Sequence, residues 1–347
     1  MGAWDITVDS RSYSRWQSVT DAGFVDKLRS AVVPNEPQRA DPHDVARILP
    51  GADQRCTFLD NQNLCSMHSL LGADYLCDTC FTYPRVTYLK DQFVERAGAL
   101  SCPEMARLAL LDPDAMRMVD MEEPRTARMV VNQQIELDAY PRDSIQRRAK
   151  RLRELCVALL QRREASIESR LLALGLALRK LSEPGDWNSA VLETLFDAYA
   201  QSLRGMAEQL AATEPRYDLQ VELLRELTVE RVATATKLSL RYASCVERMA
   251  RAFDLSTDLT ADAAAVTAYT TALQQYYIPY MRERPHVMEN LLVNQLLVSP
   301  FPFRSNTQPF DEFVLLVVRY ALVKLQLTGV AAYERRLDDA LVVEVIQ

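Results

Sequence analysis

From residue 144 onward, apolar residues recur every three or four positions, which is the spacing of one face of an α-helix. Ile145, Ala149, Leu152, Cys156 and Leu159 form the first such face. Proline and glycine then interrupt the pattern several times. The further helices that it predicts span 165–181, 189–212, 218–253, 260–277, 285–298 and 311–335. We therefore predict a mainly α fold, with an irregular helical bundle domain over 144–347.

The first 112 residues lack this periodicity, and turn signals such as Pro50-Gly51 and Tyr83-Pro84 interrupt them. We predict a loop-dominated, cysteine-rich module over 1–112, followed by a polar linker over 113–143. One short helix is expected near the end of the module. It would begin near Cys102 and end before Asp112, with Ser101 and Glu104 as a capping box.

The predicted bundle contains a run of basic residues near its start. We expect a solvated helix face, in preference to a surface for an acidic partner, for Arg147, Arg148, Lys150, Arg151 and Arg153.

The whole chain is acidic. The net charge is −7, with a pI of about 5.3, and this balance argues against a nucleic-acid partner. We predict a cytoplasmic protein without a membrane partner, because no targeting signal is visible.

Two further features of the composition limit the fold. Only nine glycines occur in 347 residues, and no glycine-rich phosphate-binding motif is present, which argues against a doubly wound nucleotide-binding sheet. The most apolar stretch, Phe313 to Leu327, contains charged residues and is expected to be too short to span a bilayer. We therefore predict that it forms a core helix.

Five of the seven cysteines lie between residues 56 and 102. Such a cluster in a reducing compartment favours metal binding over disulfides, and four thiolates suit either zinc or an iron–sulfur cluster. His68 is a further candidate ligand, although a histidine in this position more often stabilises a turn. Redox sensing by Cys77 and Cys80 is an alternative. The predicted metal ligands are Cys56, Cys65, Cys77, Cys80 and Cys102.

The predicted bundle contains an aromatic group and a few polar interruptions. Tyr276, Tyr277 and Tyr280 could bind a lysine or sulfonium cation through cation–π contacts, although core packing is the more common role. Arg319 and Lys324 interrupt the most apolar helix, where an ion pair or a snorkelling side chain is expected. Cys156 and Cys245 are isolated, and we predict that they do not bind metal.

Several stretches together resemble a known family. In the first half they are Cys56–Asp60, Leu64–His68, Leu71–Cys80, Tyr83–Arg85 and Leu100–Glu104. In the second half they are Arg170–Gly175, Glu289–Asn294, Phe301–Phe303 and Arg319–Lys324. The chain thereby resembles the FliB-type flagellin lysine-N-methylases over most of its length. In that family a further cysteine-rich segment precedes the stretch found here at residues 4–9, so we expect this segment to be missing.

The resemblance implies a cytoplasmic enzyme of the bacterial flagellum that methylates lysine side chains of flagellin, with S-adenosylmethionine as methyl donor. It also implies a cysteine-ligated metal centre, a four-iron four-sulfur cluster in preference to zinc. Asn290 and Asn294 lie one helical turn apart, and we predict that their amides bind the amino-acid portion of the donor. The alternatives are that these amides tie two helices together, and that the protein is a non-catalytic metal-binding adaptor. The sequence identifies no catalytic residue.

Overall fold

A computed structural model gives the fold of most of the chain. It describes residues 6–35, 43–53, 55–91, 93–124, 128–142, 144–235, 238–254, 263–303 and 308–347. Residues 4 and 5 of the N-terminal stretch, and 260–262 of a predicted helix, lie outside the described residues.

The described chain forms two compact units. The smaller unit comprises the described residues of Met1–Arg85, Thr126–Val130 and Thr236–Arg241. The larger unit comprises those of Val86–Arg125, Val131–Ala235 and Tyr242–Gln347. The first segment of the smaller unit ends at Arg85, so the stretch 1–112 includes described residues of both units.

The smaller unit combines a small sheet with four short helices. The sheet has the order β1-β3-β2, and β3 pairs antiparallel with both neighbours, with Ile48 opposite Ile6 and Val32. The elements are β1 (Ile6–Val8), α1 (Ser10–Trp16), α2 (Ala22–Ala31), β2 (Val32–Pro34), β3 (Ala46–Ile48), α3 (Ser66–Leu71) and α4 (Asp78–Thr82).

Local capping and a compact apolar core hold these elements together. The Asp9 carboxylate accepts hydrogen bonds from the backbone N–H of Ser12, at the start of α1, and from that of Asp78, at the start of α4. Burial would raise the pKa of Asp9, but these two donors outweigh it and lower that pKa. Trp16 and Phe58 lie in the core, and the Trp16 indole N–H donates to the Tyr75 carbonyl over 2.7 Å.

The larger unit begins with a second three-stranded sheet of order β5-β4-β6, in which β4 and β6 are parallel. Eleven described helices follow or accompany it. The strands are β4 (Arg85–Lys90), β5 (Phe93–Gly98) and β6 (Gln133–Ile135). The helices are α5 (Pro103–Leu111), α6 (Ala149–Leu160), α7 (Ile167–Leu181), α8 (Ser189–Ala211), α9 (Tyr217–Thr234), α10 (Leu240–Ala252), α11 (Ala263–Ala272), α12 (Ile278–Glu283), α13 (His286–Leu297), α14 (Pro309–Glu334) and α15 (Asp339–Ile346).

The mainly α prediction is confirmed, and the differences have local causes. The predicted helix 218–253 is two helices, α9 and α10, because the chain leaves helix geometry at Ala235, next to threonines of low helix propensity. A single π-turn, Leu273–Tyr277, joins α11 to α12. The predicted capping box before α5 is wrong, because Cys102 is the N-cap and makes no side-chain capping bond. Helix α15 was not predicted.

Helix α14 corrects the expectation for the most apolar stretch. It runs over 26 residues, with a mean hydropathy of 1.7 in its most apolar window, so among the described helices it is the one long and apolar enough to cross a membrane. The prediction that this stretch is too short is therefore wrong. The second half of α14 nevertheless packs in the core of the larger unit, where Leu325, Leu327, Val330 and Ala331 are buried.

Candidate functional site

The smaller unit brings four of the predicted metal ligands into one neighbourhood. Cys65 and Cys77 are the N-cap residues of α3 and α4, and Cys80 lies within α4. Cys56 precedes the turn that leads to Cys65. All four pack against the apolar core of this unit, and Cys77 is fully buried.

These thiols influence one another electrostatically. A hydrogen bond between the Cys77 and Cys80 side chains lowers the pKa of Cys77 and raises that of Cys80. Cys56 and Cys65 raise the pKa of Cys80 further, and burial raises the pKa of Cys56. The four sulfur atoms therefore suit a soft metal in their chemistry. Their arrangement does not form a ligand set, since no three His, Cys, Asp or Glu side chains of the described residues are placed to hold a metal ion.

The other candidate ligands are placed elsewhere along the chain. Cys102 belongs to the larger unit, as the N-cap of α5. His68 is exposed within α3. Cys156 and Cys245 are buried in the core of the larger unit, and burial raises the pKa of the Cys156 thiol. Both therefore pack as small apolar residues of this core.

The polar residues of α13 are buried inside the larger unit. Glu289 is 0% exposed, and its carboxylate pairs with Arg170, at 2.7 Å, and with Arg163, at 2.9 Å. Arg170 is buried as well and also donates to the Leu160 carbonyl. Arg163 also donates to the Pro113 carbonyl and is 42% exposed. This carboxylate therefore joins α13, α7 and the end of α6.

Asn290 and Asn294 share one face of α13, as predicted, and their amides bond to the protein itself. The Asn290 amide donates to the carbonyls of Ala109, at 2.9 Å, and Asp112, at 2.8 Å. The Asn294 amide donates to the Gly98 carbonyl, at 2.8 Å. Both residues thereby fix the segment around α5 to α13. The Asn290 Oδ1 atom is buried without a hydrogen-bond partner among the described residues. Binding of a methyl donor by these amides stays a prediction.

The predicted aromatic group divides in the structure. Tyr277 ends the π-turn, is 5% exposed, and its hydroxyl is hydrogen-bonded to that of Tyr320 on α14. Tyr280 is bonded instead to Asp339, at 2.8 Å. π-Turns within helices are common at functional sites, because they displace side chains from the regular helical face.

Lys324 completes this group. Its ammonium lies 5.4 Å from the centre of the Tyr277 ring and 4.0 Å from the Glu168 carboxylate. Burial lowers the pKa of Lys324, and Glu168 offsets part of this effect. Burial raises the pKa of Tyr277 and that of Tyr320. The expected ion pair of Lys324 is thus present, and we call Tyr277, Tyr320, Lys324 and Glu168 the tyrosine–lysine cluster.

Sequence reasoning missed one polar group. Arg153 was expected on a solvated face, but it is only 3% exposed, and it contacts Glu95 and the Phe301 carbonyl. Lys90 is also buried and pairs with the same Glu95, at 2.5 Å. The helical spacing did contain a signal for Arg153, because it is four residues after Ala149 and three before Cys156, and both of these are buried.

Comparison with known proteins places the larger unit in a family. Residues 153–347 match the C-terminal domain of the FliB lysine N-methylases. The chain belongs to the FliB lysine N-methylase family. The matched region of this family member contains α7 to α15, and with them Glu289, the two asparagines of α13 and the tyrosine–lysine cluster.

Individual relatives extend the similarity to the N-terminal half. The lysine-N-methylases of Salmonella choleraesuis and Salmonella typhimurium are each 23% identical to this chain, over 96% of this chain and 80% of theirs. The flagellar biosynthetic protein FliU of Salmonella muenchen is 29% identical over 33% of this chain and 67% of its own. No solved structure matches the chain.

Proposed function

We propose that this protein is a lysine N-methyltransferase that transfers the methyl group of S-adenosylmethionine to lysine side chains of flagellin. The observation that carries the proposal is family membership, together with two relatives named lysine-N-methylase that align with 96% of the chain. The flagellar substrate is supported by a further relative named as a flagellar biosynthetic protein.

Methyl transfer to lysine requires a site that favours the neutral amine. The lone pair of the lysine nitrogen attacks the methyl carbon of the donor, the sulfur–methyl bond breaks, and one proton leaves the nitrogen. Only the neutral amine has this lone pair, whereas a lysine in water has a pKa of about 10.4. A lysine methyltransferase therefore needs a desolvated or positively charged site, which disfavours the ammonium form.

The tyrosine–lysine cluster supplies such surroundings, and we place the incoming amine there. The Tyr277 ring already lies beside one lysine nitrogen, that of Lys324, at 5.4 Å. The positive charge of Lys324 would lower the pKa of a second amine that arrives next to it. Glu168 is 53% exposed and could accept the proton that the amine loses. In this proposal Lys324 tunes the substrate and does not itself react.

Lys324→Met tests this role. We expect the variant to methylate flagellin about tenfold more slowly at neutral pH, with its pH–rate profile moved about one pH unit higher. The sign follows because, without the neighbouring cation, the pKa of the substrate amine rises and less of it is neutral at a given pH. Lys324→Arg keeps the charge and should keep the profile. Lys180→Met removes an exposed surface lysine and serves as the control. An unshifted profile for Lys324→Met would remove Lys324 from the proposed site.

A direct assay of methyl transfer to flagellin tests the proposed function itself. The purified protein, reconstituted anaerobically with iron and sulfide, is incubated with flagellin and methyl-labelled S-adenosylmethionine, and the label is located by mass spectrometry. We expect it on lysine side chains of flagellin. Binding of flagellin without transfer of label would contradict the proposal and indicate an adaptor.

The proposal includes a cysteine-bound iron–sulfur cluster, with Cys56, Cys65, Cys77 and Cys80 of the smaller unit as the candidate ligands. The convergence of four thiols on one core supports it. The thiols would have to draw closer together to share a cluster, and no step of the reaction is assigned to it.

Cys80→Ser is expected to lose most of the iron that the unchanged protein binds, because Cys80 is linked electrostatically to the three other thiols of its unit. Cys156→Ser, which alters a buried thiol of the larger unit, should keep its iron. Iron and sulfide are quantified after anaerobic purification, together with the visible spectrum. Equal iron in the two variants would refute this ligand assignment.

A further inference from the structure

Helices α7 and α14 of the larger unit pack antiparallel, and the tyrosine–lysine cluster lies at one end of the pair. At this end the Lys324 ammonium lies 4.0 Å from the Glu168 carboxylate. At the other end the backbone N–H of Phe310 donates to the Ser182 hydroxyl, at 3.3 Å. The position numbers therefore fall along α14 as they rise along α7, and the two helices lie side by side.

One side of this helix pair carries apolar side chains that are open to the solvent. An α-helix turns about 100° per residue, so positions three or four apart share a face. Because the helices are antiparallel, positions rotated in the same sense from the contact lie on the same side of the pair. Leu172 is 36% exposed, Val314 is 43% exposed, and the others are half-buried. The five side chains on this side, which we call the apolar strip, are Leu172 and Leu176 of α7 and Val314, Val317 and Ala321 of α14.

The opposite side of the same two helices forms part of the core. Leu174 and Leu178 of α7 and Leu316 of α14 are buried there. One side of the pair is thus covered by the fold, whereas the apolar strip is left partly exposed. Contiguous apolar side chains at a surface, bordered by charged residues, are typical of an interaction site.

Charged residues border the apolar strip at both ends. Glu168 and Lys324 lie at the first end, and Arg179, which is exposed in the last turn of α7, lies at the second. Arg179 follows Glu168 by eleven positions, which is about 16 Å along the helix axis. An extended peptide rises about 3.3 Å per residue, so about five or six residues cover this distance. A complementary segment has a lysine at the first end, apolar residues over the strip and an acidic residue opposite Arg179.

Resting on the proposed function, we propose that the apolar strip binds the segment of the protein substrate that flanks the methylated lysine. The position of the strip indicates this occupant, because the strip continues directly from the cluster where we place the reacting amine. Alternate side chains of an extended segment face the same way, so the residues two and four positions from the lysine contact the strip. The enzyme thereby selects lysines with apolar residues at these positions and an acidic residue about six positions away.

Binding of labelled peptides to the whole protein, measured by fluorescence anisotropy, tests this inference. The probe has a lysine, leucines two and four positions from it and a glutamate six positions from it, and it is made in both chain directions. Leu172→Asp places a charge in the strip and should weaken binding of the probe about tenfold, because an apolar contact is lost. Leu223→Asp makes the same change at a more exposed leucine, on α9, and should leave binding unchanged.

A charge exchange tests the second end of the strip. Arg179→Glu should weaken binding of the probe and should favour a second peptide, in which an arginine replaces the glutamate. The unchanged protein should show the opposite preference. Equal affinities of the two proteins for the two peptides would overturn the recognition of an acidic residue by Arg179.

The remaining outcomes separate this inference from the proposed function. If no probe binds, and the unchanged protein and Leu172→Asp methylate flagellin equally well, the function stands and the inference is overturned. If the probe binds with the expected dependence on Leu172 and Arg179 but flagellin receives no methyl group, the peptide site stands and the proposed function fails. Two other results would overturn the inference if Leu172→Asp keeps its affinity for the probe. Loss of binding to phosphatidylglycerol vesicles would assign the strip to a membrane, and a change from dimer to monomer would assign it to a second copy of the chain.

Discussion

Glu289→Gln is expected to lower the free energy of unfolding by about 3–5 kcal/mol. The Glu289 carboxylate is fully buried and is the ionic partner of Arg170, which is itself only 3% exposed. The substitution keeps the size of the side chain but removes its charge, so the Arg170 guanidinium remains buried without a counter-ion. Such an uncompensated charge destabilises more than the loss of any surface pair. Urea-induced unfolding followed by circular dichroism measures the change.

Arg163→Gln gives the matched control, because it removes the other cation that pairs with the same carboxylate. Arg163 is 42% exposed, so water can replace its contacts, and the expected loss is about 1 kcal/mol or less. Glu193→Gln removes a surface partner of Arg151 and should have a similarly small effect. If Glu289→Gln were as stable as these two variants, the view of Glu289 as the ionic tie between α13 and α7 would be wrong.

Asn290→Asp is the second change with a large expected effect, about 3–5 kcal/mol at neutral pH. The amide of Asn290 donates hydrogen bonds to two backbone carbonyls, those of Ala109 and Asp112. A carboxylate has the same shape but no donor, so the oxygen atom that replaces the amide nitrogen would face the two carbonyl oxygens inside the core. The aspartate carboxylate would be buried without a counter-ion, and the two carbonyl oxygens would repel it. The same unfolding measurement tests this expectation.

Asn188→Asp is the appropriate control for the chemistry of that substitution. Asn188 caps α8 by accepting a hydrogen bond from Val191, and an aspartate accepts this bond equally well. Its stability should therefore change by less than about 1 kcal/mol. Asn294→Ala loses a single hydrogen bond, to the Gly98 carbonyl. This variant tests whether Asn294 only stabilises the fold or also binds the methyl donor. Unchanged affinity for S-adenosylhomocysteine in the folded Asn294→Ala protein would show that Asn294 is purely structural.

The sequence predicted helices well where apolar spacing was regular, because that spacing reflects burial on one face. It did not predict the break after α9, where the helix ends at Ala235 beside threonines of low helix propensity, or the π-turn at Leu273–Tyr277. The partners of the buried polar residues were harder to predict. Asn290 and Asn294 were correctly placed on one face, but their partners lie more than a hundred residues away in the chain. Arg153 and Lys90 share the carboxylate of Glu95, which lies five positions from Lys90 but 58 positions from Arg153 in the chain, so the helical spacing around Arg153 did not reveal it.

The hydrogen bonds between α13 and the segment around α5 also constrain when the larger unit can complete its fold. The two residues of each of these bonds are 178 to 196 positions apart. At about 5–20 residues per second, a ribosome needs roughly 10–40 s to make the chain between them. During that interval the apolar face of α5 has been synthesised but its covering helix has not. The nascent protein would thus present Ala106, Ala109 and Leu110 to the solvent, where a chaperone could shield them until α13 emerges.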